Sequence, residues 1–239
     1  MTVRNLNLVE SLYADLRRRL QLSEIGPDDR LVDTDIAEAY GASRMPAREA
    51  LLRLVAEGYL VGSTRGFVLP VLSPEDIAGI FELRRQLEPR AAGAAARDLT
   101  PDAAEELARS MERIHEAHAV DDLRSLIKAN LAFRNAWLGC VRNRHMAATI
   151  SRFMDYFQAI RLDTFSDAAT RRVYVDALSA LFDALTARDS LASQDRMTAF
   201  LFAAETAYLA ARARRVERQA SVRPGRRNNS RTTRGNEGT

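Results

Sequence analysis

The chain has 239 residues, of which 46% are hydrophobic and 28% charged, a composition ordinary for a folded globular protein with one large or two smaller domains. No stretch approaches the roughly 18 uncharged apolar residues that cross a bilayer, MTVRNLNLVESLY has no apolar signal core, and Cys140 is the single cysteine, so the expectation is a cytoplasmic protein with no membrane partner, no intrachain disulfide and no thiolate metal cluster. The net charge of +3 is uneven: residues 215–239 hold seven arginines against two glutamates, a net +5 that leaves −2 for the rest, so overall basicity describes the end of the chain and only local pattern can argue for nucleic acid.

LVESLYADLRRRL places Leu8, Leu12, Leu16 and Leu20 four residues apart with arginines opposite, which predicts an amphipathic helix. Gly26 and Pro27 with two aspartates break it. Asp33 can cap a short helix through Tyr40, Gly41 supplies a turn, and Ser43 can cap a second helix that runs to about Glu57 and ends at Gly58. YLVGSTRGFVLP then gives two short β-prone runs around a polar turn with Gly66, a hairpin pattern. Three helices and a hairpin in this order make a winged helix-turn-helix, assigned to residues 1–72.

Ser73-Pro74-Glu75-Asp76 opens a long helix with a cap, an N1 proline and first-turn acids, and Thr100-Pro101-Asp102 repeats the device. Helical segments follow near 101–119, 121–138, 143–164, 168–187 and 190–214, with no strand-like alternation between them. The fold class is therefore mainly α: an N-terminal winged helix-turn-helix followed by an all-α helical bundle over 73–214. Residues 215–239 read as a basic, disordered tail, with no apolar residue after Val222 to join a core.

In a helix-turn-helix the N-terminal part of the second helix enters the major groove, so side chains of its first two turns meet base edges. Arg44 and Arg48 hold those positions in GASRMPAREALLRL. The planar fork of arginine can pair with guanine O6 and N7 and stays charged for phosphate at any physiological pH. Arg65-Gly66 stands at the hairpin tip, where a wing reaches the minor groove or backbone. Arg53, farther along the helix, is expected on phosphate or solvent.

The region LVDTDIAEAYGASRMPAREALLRLVAEGYL resembles the GntR family of bacterial transcription regulators, in which an S-R-x-P-x-R-E-A-L core, an E-G pair and a wing glycine recur in that order; the match covers about Leu12 to Pro70. The resemblance implies that Arg44, Arg48 and Gly66 contact an operator, with Ser43 and Met45 beside them. Two departures stand out. Met45 replaces a usual threonine and cannot donate a hydrogen bond to phosphate, and Asp28 stands where the loop usually has glycine.

The second half, carried by FELRRQLEPRAAGAAARDL, LAFRNAWLGCVRNRHM and LFDALTARDSLASQDRMTAFL, resembles the FadR-type C-terminal domain of that family, an all-α, FCD-like bundle that dimerises and often senses a small carboxylate. Many such domains hold a divalent metal with one aspartate and three histidines; here the corresponding positions are Asn130, Arg134, Leu178 and Phe200. An amide is a weak ligand, a guanidinium repels the ion, and leucine and phenylalanine carry no donor, so no metal and no cofactor are expected. Asn130 and Arg134, four residues apart, can still aim at one interior, where arginine would clamp a carboxylate directly, and Arg84 in the ELR segment would add a second cation. The alternative is a vestigial pocket with Leu178 and Phe200 as core.

His115 and His118 read as a surface pair, His145 lies far along the chain, and no Ser/His/Asp, Cys/His or phosphate-loop arrangement occurs, so an enzyme is not expected. The expectation is a homodimeric, nucleoid-associated regulator on a near-palindromic double-stranded DNA operator, a repressor modulated by a small organic acid. A constitutive dimer whose bundle only dimerises is the alternative.

Overall fold

The computed structural model describes the backbone over 3–156, 165 and 167–222, with side chains over 7–153, 165 and 167–214. Helix α1 spans Val3–Gln21, starting before Leu8, followed by α2 (Asp33–Ala39), α3 (Arg44–Ala56), β1 (Val61–Ser63) and β2 (Gly66–Val68). Leu12, Leu16 and Leu20 of α1 pack with Leu51 and Leu54 of α3, and Leu60 and Phe67 close the same core from the hairpin. Burial of these leucines stabilises this small unit by about 1.5–3 kcal/mol each.

The hairpin is antiparallel, pairing Val61 with Val68 and Ser63 with Gly66, and Leu31 joins it through reciprocal 2.8 Å backbone bonds with Phe67. Gly66 has φ +131°, and a Cβ there would stand 2.5 Å from the Leu31 carbonyl oxygen. Only glycine lets the wing close on Leu31.

Two capping expectations are corrected. Asp33 is the first residue of α2, behind an N-cap at Val32, and its carboxylate makes no cap bond because two arginines of α3 occupy it; Ser43 holds the α3 N-cap position with extended backbone, yet its side chain makes no cap bond either.

The bundle comprises α4 (Pro74–Arg97), α5 (Pro101–Ala119), α6 (Leu123–Gly139), α7 (Arg144–Tyr156), α8 (Ala168–Thr186) and α9 (Ser190–Val222). The proline starts form as their sequence requires: Ser73 and Asp76 make a reciprocal capping box, and Thr100 accepts from the Ala103 N–H. Trp137, Phe133, Phe165, Leu107 and Ile114 are fully buried in the core. Cys140 is buried beside them, its thiol directed to the Ala136 carbonyl. Helix α4 packs along α9, and Ile77 and Phe81 of α4 meet Ala204 and Tyr208 of α9 in a smaller apolar cluster.

The expected end of the bundle at Arg214 is also corrected. Helix α9 continues to Val222, eight residues into the segment read as tail. Nothing between Arg214 and Val222 breaks a helix, and Pro224 is the first residue that must; the remainder of the expected tail lies outside the described residues. Likewise the expected stretch 157–164 of the fourth bundle segment lies outside them. No helix among the described residues is long and apolar enough to cross a membrane.

Candidate nucleic-acid interface and the bundle interior

Arg44 and Arg48 stand one turn apart on α3, and both reach the carboxylate of Asp33. Arg44 Nη2 lies 3.2 and 3.3 Å from its two oxygens, and Arg48 Nη1 lies 3.4 Å from Oδ2. Asp33 is buried, whereas the arginine side chains are 67% and 56% exposed. Pairs this exposed on one side contribute little to stability, so their consequence is orientation: each guanidinium is held at one edge with the remainder turned to solvent. Burial alone would raise the Asp33 carboxyl, but the hydrogen bond from Arg48 and the charge of Arg44 outweigh it and keep it below the usual carboxylate range.

These residues line one wall of a groove of about 470 Å³ whose other wall is the hairpin, with Gly62, Ser63, Thr64 and Gly66 facing Arg44 and Arg48. At the tip, Ser63 Oγ donates to the Gly66 carbonyl and accepts from the Arg65 N–H, which closes the turn and leaves Arg65 exposed. Ser43 and Met45 are exposed at the start of α3, so a thioether occupies the place of a hydroxyl donor.

Arg53 also has partners within the winged helix. Its guanidinium lies 2.5 Å from Glu10 and 3.2 Å from Glu57 and stacks 3.9 Å over the Tyr13 ring. Tyr13 in turn donates its hydroxyl to Glu57, and burial followed by that bond pushes the phenol up to about 12. Arg53 thus knits α3 to α1.

In the bundle, Asn130 and Arg134 of α6 are both buried, as are Leu178 of α8 and Phe200 of α9. Tyr174 joins them: its hydroxyl donates to Asn130 Oδ1 at 2.8 Å, and its ring meets Phe200 edge-on at 5.0 Å and Phe165 at 4.8 Å. Leu178 and Phe200 belong to the main apolar core. This set does not suit the divalent metal implied by the resemblance, because the one neutral oxygen donor is taken by Tyr174 and its neighbours are a guanidinium and two hydrocarbons. Among the described residues no three His, Cys, Asp or Glu side chains are placed to hold an ion.

Arg84 has a partner inside the bundle. Its fork is bidentate on Glu88, Nε to Oε1 at 2.6 Å and Nη2 to Oε2 at 3.2 Å, and both side chains are almost wholly buried. The buried carboxylate balances the charge that was expected to serve an anion. The four-residue spacing from Arg84 to Glu88 is the signal by which it was findable. The histidine pair lies at the surface, His115 exposed and His118 half-buried, and there His115 bonds Ser179 and His118 accepts from Arg171, both on α8, so the two rings tie α5 to α8. Tyr174 and Asp33 were missed because their partners lie far away in the chain.

The two halves touch. Arg152 of α7 donates to the Glu57 carbonyl at 3.0 Å, Arg17 of α1 donates to Ser151 Oγ at 3.3 Å, and Arg124 of α6 pairs with Glu24 at 3.8 Å.

Comparison with known proteins returns two domain families: residues 8–66 match the bacterial regulatory proteins of the gntR family, and residues 79–203 match the FCD domain. The HTH-type transcriptional regulator McbR of Escherichia coli is 32% identical over 135 residues, 56% of this chain, so the chain spans about three-fifths, 61%, of that regulator's length. The HTH-type regulator YdhC of Bacillus subtilis is 27% identical over 63% of this chain and 68% of its own. Among solved structures, E. coli McbR/YncC superposes with a TM-score of 0.73 at 24% identity, covering 92% of this chain and 100% of that one. A GntR regulator from Rhodococcus sp. RHA1 gives 0.66 at 23% identity, covering 88% and 99%. At these identities the structural likeness establishes the fold.

Proposed function

Since the chain belongs to the gntR family of bacterial regulatory proteins and carries the FCD domain behind its winged helix, we propose that it regulates transcription as a homodimeric repressor on a near-palindromic DNA operator, modulated by a small organic acid held in the bundle. The observation that carries the DNA half is the clamp of Arg44 and Arg48 on Asp33, across a groove from the wing. Two exposed guanidinium groups held by one buried carboxylate present their donors in a fixed arrangement, which suits paired hydrogen bonds to guanine. One winged helix reads too few bases for specificity, and two related by a dyad read an inverted repeat.

The test is an operator selected from random DNA, then titrated by fluorescence anisotropy. Arg44→Ala is expected to lose about 1–3 kcal/mol on the selected site and much less on scrambled sequence. Equal losses on both would reduce Arg44 to a phosphate contact and defeat the reading.

In the bundle, Arg134 is the cation we assign to a monocarboxylate, with Leu178 and Phe200 against its apolar body and no metal between. The second reading, a bundle that only dimerises, is favoured by the Arg84–Glu88 pair and by Tyr174 on Asn130. A thermal-shift screen of organic acids decides between them: stabilisation by a monocarboxylate in wild type but not in Arg134→Ala supports sensing, and no stabilisation by any acid supports the constitutive dimer.

A further inference from the structure

Met45 ends in a thioether, which donates no hydrogen bond and is only a weak acceptor. It is nonetheless 68% exposed, in the first turn of α3, between the two arginines that the operator reading places at base edges. On a helix of 3.6 residues per turn, Arg44, Arg48 and Met45 fall within an arc of about 100° with Arg48 in the middle, so whatever meets the guanidinium groups meets the methionine as well. The opposite arc belongs to the core, where Pro46, Ala47, Ala50, Leu51 and Leu54 are all buried. Leu52, the other large exposed apolar side chain of this helix, lines the groove against the wing, which leaves Met45 as the hydrocarbon at the end of α3 that enters the major groove. We infer that Met45 reads the 5-methyl group of a thymine beside the guanines taken by Arg44 and Arg48; the inference rests on the operator reading above.

The chemistry of the major groove selects that group. Guanine shows O6 and N7 there, adenine N7 and an amino group, and cytosine an amino group, whereas thymine alone adds a hydrocarbon, its methyl, beside O4. Set against a purine, a thioether would take water from N7 and return no donor, and set against phosphate it would strip water from a charge. Against a methyl group both partners remove only apolar surface from water, and the flexible, polarisable side chain adjusts to fit. Met45 precedes Arg48 by three residues, a rise of about 4.5 Å along the helix, close to one base-pair step of about 3.4 Å, so the thymine stands next to the guanine that Arg48 takes. Because Asp33 holds both guanidinium groups, the base under Met45 is read in register with those guanines.

Uracil isolates the group, since it keeps the pairing and the O4 of thymine and lacks only the methyl. In the operator selected from random DNA, each thymine is replaced by uracil in turn, and binding of the purified full chain is followed by anisotropy. Wild type is expected to lose about fourfold in affinity at one thymine of each half-site, the equivalent of one buried methyl group. Met45→Ser should no longer distinguish thymine from uracil at that position, whereas Met45→Leu, which keeps a hydrocarbon end, should still distinguish them; both are expected to melt as wild type does, because the side chain lies outside the core. A half-site with no thymine whose methyl matters to wild type, or a uracil penalty that Met45→Ser retains in full, overturns the assignment. If wild type prefers its selected site to scrambled DNA and is indifferent to uracil throughout, this inference falls and the operator reading stands. If selection returns no preferred sequence, the operator reading falls and the inference falls with it.

Discussion

Arg152 on α7 donates its Nε–H to the main-chain carbonyl of Glu57, the residue that caps the C-terminus of the helix carrying Arg44 and Arg48. The contact joins the bundle to the recognition helix at an orphan carbonyl that the helix cannot satisfy for itself. With Arg17 on Ser151 it fixes how the winged helix sits on the bundle.

Arg152→Ala is therefore expected to loosen the two halves without unfolding either. Because the side chain is exposed, the loss in stability should stay near 1 kcal/mol. The measurable change is faster amide exchange at the end of α3 and faster proteolysis between Leu69 and Ser73, with the bundle's own exchange unchanged. Unaltered exchange at α3 would show that the bond does not hold the domains.

Asp33→Asn keeps the size of the side chain and removes the charge that holds both arginines. The ratio of operator to scrambled-DNA affinity should fall about tenfold, while affinity for scrambled DNA rises slightly because a negative charge has gone. The clamp also has a pH signature. Its carboxyl titrates below the usual range in the folded protein, so its stabilisation is fully present above the ordinary value near 3.9 and is lost only as pH falls through the lower folded value. Operator preference should then be flat between about pH 5 and 8. A preference that decays within that window points to a different titrating group.

Gly66→Ala puts a methyl group 2.5 Å from the Leu31 carbonyl oxygen, at a φ that alanine resists. Backbone stands in the way, so the wing has to move off Leu31. Thermal melting should show the winged helix destabilised by about 1–3 kcal/mol, with operator binding lost alongside. Gly62→Ala, where no atom lies within 4 Å of the added carbon, is the control and should leave the wing in place.

Arg84→Ala would strand the wholly buried Glu88 without its bidentate partner. Removing one side of such a pair typically costs about 3–5 kcal/mol, whereas replacing both members by apolar residues costs far less. Denaturant unfolding of Arg84→Ala and of the double variant Arg84→Met, Glu88→Leu should show that order. If Arg84→Ala is no less stable than the double variant, the arginine is not balancing Glu88.

The parts legible in the sequence are those set by neighbours along the chain. The leucine spacing of α1, the proline starts of α4 and α5, and the glycine of the wing gave their elements because period, cap and φ are local properties. The Arg44 and Arg48 pair was legible for the same reason. What was hidden needs the third dimension: Asp33 reads as a cap until α3 folds over it, and Tyr174 meets Asn130 across 44 residues of chain. The histidines of α5 are at the surface as their sequence suggests, but that α8 receives both could not be read beforehand. Helix α9 overran its expected end because arginine, glutamine and glutamate favour helix as readily as a basic tail does.

Gly93 on α4 faces Gln194 and the Ser190 carbonyl so closely that an added Cβ would sit 2.8 Å from both. The two longest helices of the bundle therefore meet here with no room for a side chain on α4, and any larger residue would wedge them apart. Toward Pro74 the same two helices are held together by Ile77 and Phe81 on Ala204 and Tyr208 and by Arg85 on Glu205. A wedge at Gly93 therefore strains the seating of the whole N-terminal half of α4, the half that leads to the wing.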